Sequence, residues 1–305
     1  MNQDTAHLLD ALLPAEMAIK AEEIGVKKAT MNLAALAALS VLAGAFIAFG
    51  AVFSTTVSAG AGDVLPFGLI RLIAGLVFSL GLILVVVGGA ELFTGNNLIV
   101  MAWANRKISL AQVLKNWAVV YLGNFAGAFM TAVLVYFSSH HLLGKAAVGA
   151  ATLATAETKS GLSFGQAMAR GILCNVLVCL AVWLSYSGRT TADKVLAIVP
   201  PITAFVACGF EHSVANMYFI PAGLFIKAGA AESFWNQIGK SASDYPSLSW
   251  GHFLFANLLP VTIGNIIGGA VLVGIVYWFV YLRKPNGEVA GSMGNRQEPS
   301  PRKPL

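Results

Sequence analysis

Long stretches without charge are the feature that most limits how this chain can fold. The first of them, Ala29 to Gly62, contains no acidic or basic side chain. A helix needs about 20 mostly apolar residues to cross the hydrocarbon core of a membrane. Only 11 % of the 305 residues are charged and 57 % are hydrophobic, whereas soluble domains average about 25 % charged residues. The chain is therefore predicted to be an all-α polytopic membrane protein.

Six apolar segments are long enough to act as crossings. They are 31–57, 72–90, the segment between Lys115 and His140, 171–188, 195–210 and 245–282. Six crossings return the chain to the side on which it started, so both termini lie on the same face. Lys and Arg are more numerous on that face, which predicts cytoplasmic termini.

The two ends of the chain differ from the apolar middle, 29–284, which forms the predicted membrane domain. Residues 1–28 place Leu and Ala at helical spacing among acids and lysines. This pattern predicts an amphipathic cytoplasmic helix, which serves either as a membrane-surface anchor or in gating or docking. It lacks the uninterrupted apolar core of a signal peptide. Residues 285–305, rich in Pro and Gly, are predicted to be a disordered cytoplasmic tail.

An internal repeat relates the first half of the chain to the second half. The second and fifth crossings each run into a glutamate followed five positions later by asparagine, as Glu91 to Asn96 and Glu211 to Asn216. The third and sixth crossings share four residues at a constant offset of 141: Asn116, Gly123, Asn124 and Gly127 match Asn257, Gly264, Asn265 and Gly268. Each half has an odd number of crossings, so the halves run in opposite directions. The pattern predicts two inverted three-helix repeats with broken second and fifth helices.

Broken helices at membrane depth have a restricted set of environments. Their free N–H and C=O groups must be buried in protein or line a watery cavity, because lipid cannot bind them. The N-terminus of a half-helix carries partial positive charge and favours anions. The two breaks are therefore expected to face one polar path near the middle of the membrane.

Ionisable residues within crossings are candidates for function. His212 is the natural proton donor, since histidine exchanges protons near neutral pH; a purely structural histidine is the alternative. Thr94, in the other break, either hydrogen-bonds this imidazole or caps its own broken helix. A bare carboxylate beside an anion path would repel the substrate, so Glu91 and Glu211 are expected to cap backbone amides or to pair with a base.

Other residues of the two halves are weaker candidates. Asn175 either donates a hydrogen bond into the pore or joins neighbouring helices. Lys159 either attracts anions or is a solvated loop lysine. Large apolar side chains near the breaks either form narrow constrictions that exclude hydrated ions or face lipid; they are Phe78, Leu82, Phe93 and Phe205.

Several classes of function are not expected. The sequence has no metal-ligand cluster, nucleophile elbow or phosphate-binding glycine loop, so we expect no metal, no cofactor and no enzymatic activity. The basic residues lie in short loops and tails, so nucleic acid is not an expected partner. Membrane lipid is.

Taken together, the motifs resemble the formate/nitrite transporter family over roughly residues 10–284. The matching segments are Ala90 to Thr94, Lys115 to Trp117, Gly171 to Asn175, Gly209 to Ser213 and Asn257 to Gly269. The similarity to the formate channel branch is closest in Ser185 to Arg189 and Pro260 to Asn265.

This resemblance implies an aquaporin-like inverted repeat that assembles as a homopentamer, with one pore in each protomer, in the inner membrane of a bacterium. It places the family's central histidine at His212, its threonine partner at Thr94, the pore asparagine at Asn175 and the external lysine at Lys159. The constriction residues fall on Phe78, Leu82, Phe93 and Phe205. The N-terminal helix resembles a segment that gates in response to pH.

The function implied is a pH-responsive channel for formate, and for related small monovalent anions or their weak acids. A nitrite or hydrosulfide channel of the same family is the alternative. A neutral-solute channel of the aquaporin class is more distant, because neither break contains Asn-Pro-Ala. A membrane-embedded enzyme would need a metal cluster or a nucleophile and base, and only one histidine lies within the crossings.

Overall fold

A computed structural model of the protein describes residues 10–62 and 64–283. The predicted tail, 285–305, lies outside the described residues, as do the first nine residues of the predicted N-terminal segment 1–28. All regular structure in the described residues is helical. The helices are α1 Pro14–Ala29, α2 Leu33–Ser58, α3 Phe67–Gly88, α4 Val100–Ala104, α5 Leu110–Phe137, α6 Ala147–Ser160, α7 Phe164–Ser187, α8 Thr191–Ala207, α9 Ser213–Gly229, α10 Glu232–Ile238 and α11 His252–Tyr281.

Five of these helices, α2, α3, α5, α7 and α11, are long and apolar enough to cross a membrane. A sixth apolar segment is bent by 112° between α9 and α10. Together with α8, which precedes α9 across a non-helical stretch, it accounts for the fifth predicted crossing. The prediction of six crossings is confirmed.

Apolar side chains cover much of the outside of the crossing helices. Leu122 and Leu134 on α5 each expose 68 % of their surface, and Phe137 exposes 77 %. Soluble monomers rarely display large continuous apolar surfaces. The exposed apolar faces and the long apolar helices identify a multi-pass membrane protein.

Both predicted helix breaks are present. Helix α3 ends at Gly88 and the chain resumes as a 3-10 helix, Gly95–Ile99, that leads into α4. Helix α8 ends at Ala207, and α9 begins at Ser213. Gly89 and Gly209 have positive φ angles of 81° and 71°. Glycine adopts such angles without a steric penalty, so these two residues let the chain leave each helix abruptly.

Glycines allow helices of the same half to touch backbone to backbone. A methyl group on Gly127 of α5 would lie 1.9 Å from the carbonyl oxygen of Val41 on α2. One on Gly268 of α11 would lie 2.2 Å from the carbonyl oxygen of Ile172 on α7. Gly127 and Gly268 are the equivalent positions of the repeat, so both halves use the same close crossing.

The two halves meet at an axis marked by equivalent residues. The hydroxyl groups of Tyr121 and Thr262 are 2.8 Å apart, and these residues are separated by 141 positions, the offset of the repeat. Equivalent residues of two related halves can touch each other only close to the axis that relates them. The inverted repeat is therefore confirmed in three dimensions.

Helix α6, between the third and fourth crossings, was not predicted from the sequence. It ends at Ser160, four positions before α7 begins, and α1 ends at Ala29, four positions before α2 begins. Each three-helix repeat is thus preceded by a short helix in the same relative position. The buried residues of α1 lie on one face: Met17, Ala18, Ala21 and Gly25. The cytoplasmic location of this helix stays a prediction.

Candidate functional site

The two helix breaks meet at a contact between Thr94 and His212. Thr94 Oγ1 lies 3.0 Å from His212 Nε2, and both side chains are buried. The N–H of Ala215 donates to His212 Nδ1 at 3.1 Å. A backbone amide can only donate, so Nδ1 is an acceptor and the neutral ring carries its proton on Nε2. That N–H donates to Thr94 Oγ1. The other ring nitrogen, Nδ1, caps the N-terminus of α9 by accepting from Ala215.

Two cavities approach this contact. The α6-side cavity, of about 140 Å³, is lined by Arg71, Phe78, Lys159, Phe205 and His212 among others. The α1-side cavity, of about 450 Å³, is lined by residues that include Lys20, Lys28, Leu82, Glu91 and Lys194. His212 thus reaches the smaller cavity, and Glu91 reaches the larger one.

A thin apolar barrier lies between the cavities. Phe78 lines the α6-side cavity and Leu82 the α1-side cavity. They are four residues apart on α3, which is about 6 Å along a helix. The ring of Phe205 stands edge-on to Phe78, with centroids 5.6 Å apart, and lies over the imidazole of His212 at 5.8 Å. Two of the predicted constriction residues, Phe78 and Phe205, therefore lie together beside His212, and Leu82 lies one turn further along α3 in the wall of the α1-side cavity.

Phe93, the fourth predicted constriction residue, is placed differently. It lines neither of the two cavities. Its ring packs edge-on against Tyr121, with centroids 4.9 Å apart, and against Trp117 at 6.1 Å. In this structure Phe93 fills the space between the first break and α5.

Glu211 belongs to a buried polar cluster. Lys159 Nζ lies 2.9 Å from Oε1 of this carboxylate. The side-chain amides of Asn216 and Asn257 donate to Oε2 at 2.7 and 3.2 Å. Asn257 also donates to the main-chain carbonyl of Lys159 at 2.9 Å. Lys159 is thus not a loop residue: it lies in the last turn of α6, paired with a buried acid.

Glu91 has a matching cluster in the first half. Lys28 Nζ lies 2.8 Å from Oε1, and the amide of Asn96 donates to Oε2 at 2.8 Å. Asn96 also donates to Asn116 Oδ1 at 2.9 Å, and Asn116 donates to the carbonyl of Lys28 at 3.1 Å. Each cluster contains one lysine, one glutamate and two asparagines, connected in the same order. Both glutamates pair with a base.

Lys28 was not selected from the sequence, although a signal for it exists. It precedes the first residue of α2 by five positions, as Lys159 precedes the first residue of α7. The sequence repeat starts at Glu91 and Glu211, beyond these lysines in each half, so it does not show that Lys28 and Lys159 are equivalent. The structure shows that α1 and α6 each deliver one lysine to the glutamate of their own half.

Asparagines hold the broken backbone in each half. Asn124 accepts from the N–H of Phe93 at 2.8 Å and donates to the carbonyl of Glu91 at 2.9 Å. In the second half, Asn265 accepts from the N–H of Ser213 at 2.9 Å and donates to the carbonyl of Glu211 at 3.0 Å. These bonds replace those that a continuous helix would make, which lipid cannot supply.

Asn175 joins helices in the middle of the protein. This fully buried amide donates toward the carbonyls of Thr94 and Asn265, at 3.3 and 2.7 Å, and toward Asn97 Oδ1 at 3.0 Å. Its donors are used within the protein, which favours the interhelical role over a donor in the pore.

Among the described residues, no group of three or more His, Cys, Asp or Glu side chains could hold a metal ion.

Comparison with known proteins agrees with this architecture. The sequence model of the formate/nitrite transporter family matches residues 15–279. The formate channel FocA of Escherichia coli strain K12 is 47 % identical over 275 residues, which cover 90 % of this chain and 96 % of FocA. FocA of Haemophilus influenzae is 44 % identical over 266 residues, covering 87 % and 93 % of the two chains.

Solved structures are similar as well. One described as a pentameric formate channel with formate bound has a TM-score of 0.78 and 42 % identity, covering 82 % of this chain and 98 % of that one. A second, an FNT family ion channel, has a TM-score of 0.73 and 27 % identity, with coverages of 87 % and 98 %. The named relatives are channels or transporters, not enzymes. With its six crossings, two facing breaks and paired polar clusters, this chain belongs to the formate/nitrite transporter family.

Proposed function

We propose that this protein is a pH-responsive channel that passes formate, and related small monovalent anions or their weak acids, across the inner membrane of a bacterium. The contact between Thr94 and His212 carries the proposal, because it joins the two breaks beside the apolar barrier. The choice of formate is supported by relatives of 42–47 % identity that are named formate channels. The termini are taken as cytoplasmic, so the α1-side cavity opens inward and the α6-side cavity outward.

The assembly proposed is a homopentamer surrounded by lipid. A solved relative at 42 % identity is described as pentameric. Both cavities and the Thr94–His212 contact lie within one chain. Each protomer would therefore have its own pore.

The barrier explains why a proton is useful. An anion crossing between Phe78, Leu82 and Phe205 would lose water that these apolar side chains cannot replace. Transfer of a proton from a charged His212 ring to a carboxylate oxygen yields the neutral acid, and the ring returns to its neutral form. A second proton on the ring must sit on Nδ1, which then releases the N–H of Ala215. Charging of the ring is thus coupled to loss of the cap on α9.

The N-terminal helix is proposed to take part in the pH response. Lys20 and Lys28 of α1 line the α1-side cavity. Movement of this helix would therefore change the charge and the width of the inner entrance. The Lys28–Glu91 pair at 2.8 Å is the contact that such a movement would break.

Flux into liposomes that contain the purified protein tests the substrate. Formate, nitrite and hydrosulfide are offered separately at matched gradients while the internal pH is recorded. Fast formate flux with slower nitrite and hydrosulfide flux is expected. Comparable rates for all three would indicate a broad monovalent-anion channel, and no flux through an open protein would refute the channel.

Replacing His212 with asparagine tests the proton donor. Asparagine is a good N-cap and can still accept the N–H of Ala215, but it cannot carry a proton. The His212→Asn protein is therefore expected to assemble normally and to lose the pH dependence of formate flux. The matched control is Thr94→Ser, which keeps the hydroxyl group and should keep the pH dependence. An unchanged pH profile in His212→Asn would rule out the proton-donor role.

A further inference from the structure

The α6-side cavity has one cation that forms no salt bridge with a carboxylate of the described chain. Of its two cationic lining residues, Lys159 is paired with Glu211 at 2.9 Å. Its positive charge is therefore largely cancelled for an anion that enters the cavity. The other cationic residue is Arg71 of α3, for which only backbone carbonyls accept hydrogen bonds among the described residues.

Arg71 lies against the C-terminal end of the half-helix α8. Its Nε donates to the carbonyl of Ala207 at 3.1 Å, and Nη2 donates to the carbonyl of Val206. The C-terminus of a helix carries partial negative charge on such carbonyls. Without a cation there, the end of α8 would repel an anion from the cavity. Arg71 reverses the sign of the charge at this wall.

The guanidinium keeps donors for a ligand. It has five N–H groups in a planar fork, and two are used by α8. The hydroxyl groups of Thr55 and Ser58, which also line the cavity, donate to carbonyls of their own helix at 3.0 and 2.7 Å. They can accept but do not offer a proton to an anion. Arg71 thus presents a charged, planar set of donors to the cavity.

We infer that Arg71 is a specificity-determining residue that binds the carboxylate of the transported oxyanion in the α6-side cavity before it reaches His212. The inference rests on the proposed function. A planar guanidinium matches two carboxylate oxygens at once, whereas a lysine ammonium acts as a point charge. The cavity should therefore prefer carboxylates and other oxyanions with two coplanar oxygens over a halide of the same charge.

Transport kinetics from each side of the membrane test this. Formate uptake is measured in right-side-out and in inverted membrane vesicles for wild type, Arg71→Gln and Arg71→Lys. Hydrogen bonds to a charged group contribute enough for a roughly tenfold or larger change in affinity. Arg71→Gln is expected to raise the external half-saturating formate concentration about tenfold or more, and to leave the internal one unchanged. The external half-saturating formate concentration of Arg71→Lys should lie between those of wild type and Arg71→Gln. This variant should also have a reduced preference for formate over chloride.

Two further measurements separate the possible failures. Lys240→Gln, which removes an exposed lysine outside the cavity, is the control and should behave as wild type. Binding of ¹³C-formate to the purified oligomer, read by line broadening, does not require transport. Weaker formate binding by Arg71→Gln than by Lys240→Gln supports the inference, whether or not the wild type transports formate. Absence of flux in the wild type would refute the proposed channel function but not the binding role of Arg71. Equal binding, or equal external half-saturation, overturns the inference.

Discussion

Replacing Lys159 with methionine removes the cation from a carboxylate that is almost completely buried. Lys159 Nζ lies 2.9 Å from Glu211 Oε1, and the two side chains expose only 15 % and 3 % of their surfaces. At this distance two unit charges attract by about 6 kcal/mol at an effective dielectric constant of about 20. The cost of taking both charges out of water cancels part of this attraction. Breaking a buried pair by removing one partner typically costs about 3–5 kcal/mol, and we expect that loss for Lys159→Met.

The double variant Lys159→Met/Glu211→Gln should be more stable than Lys159→Met alone. It leaves no unpaired charge in this cluster, and a glutamine oxygen can still accept from Asn216 and Asn257. The assay is thermal unfolding of the purified protein in detergent, followed by tryptophan fluorescence. For a chain of this size, about 1 kcal/mol corresponds to about 2 °C in Tm. Lys159→Met should therefore lower Tm by about 6–10 °C, with most of the loss recovered in the double variant.

Two results would refute this reasoning. One is a shift in the Tm of Lys159→Met no larger than that of Lys240→Gln, a control that alters an exposed lysine. The other is additivity, in which the Tm losses of the two single variants sum to that of the double variant, because independent residues behave in this way. Formate flux gives a second readout: the uncompensated Glu211 carboxylate of Lys159→Met should slow anion entry, and the double variant should regain it.

Two further predictions concern packing and pH. Gly127→Ala and Gly268→Ala should each lower the free energy of unfolding by about 1–3 kcal/mol, because the added methyl group would lie 1.9 or 2.2 Å from a backbone oxygen. Gly68→Ala, whose added methyl group would have no atom within 4 Å, is the control in the same melting assay. Burial lowers the pKa of His140 and His141 below the usual value, and for His141 the neighbouring His140 lowers it further. The unfolded chain then binds more protons, so stability should fall as the pH drops below about 6.5. A His140→Gln/His141→Gln variant should lose less Tm than wild type between about pH 7.5 and about pH 5, and an equal loss would contradict the prediction.

Much of the architecture was predictable from the sequence because lipid imposes local rules. A crossing must be apolar over about 20 consecutive residues, so the apolar segments mark the helices directly. An acid followed five residues later by asparagine, within two such segments, marked both breaks. The asparagine and glycine pattern at an offset of 141 showed the repeat, since both halves need the same close helix crossing and the same bonds to broken backbone.

The sequence alone left open which side chains meet. Thr94 and His212 are 118 positions apart, and Lys28 and Glu91 are 63 apart. Helix α6 escaped prediction because it is short and contains polar residues, and without it the equivalence of Lys28 and Lys159 could not be seen. The direction of the His212 hydrogen bonds and the placement of Arg71 on the end of α8 likewise depend on how the helices pack. Local composition governs whether a segment can enter lipid, whereas the pairing of charges depends on distances between segments that only the folded chain brings together.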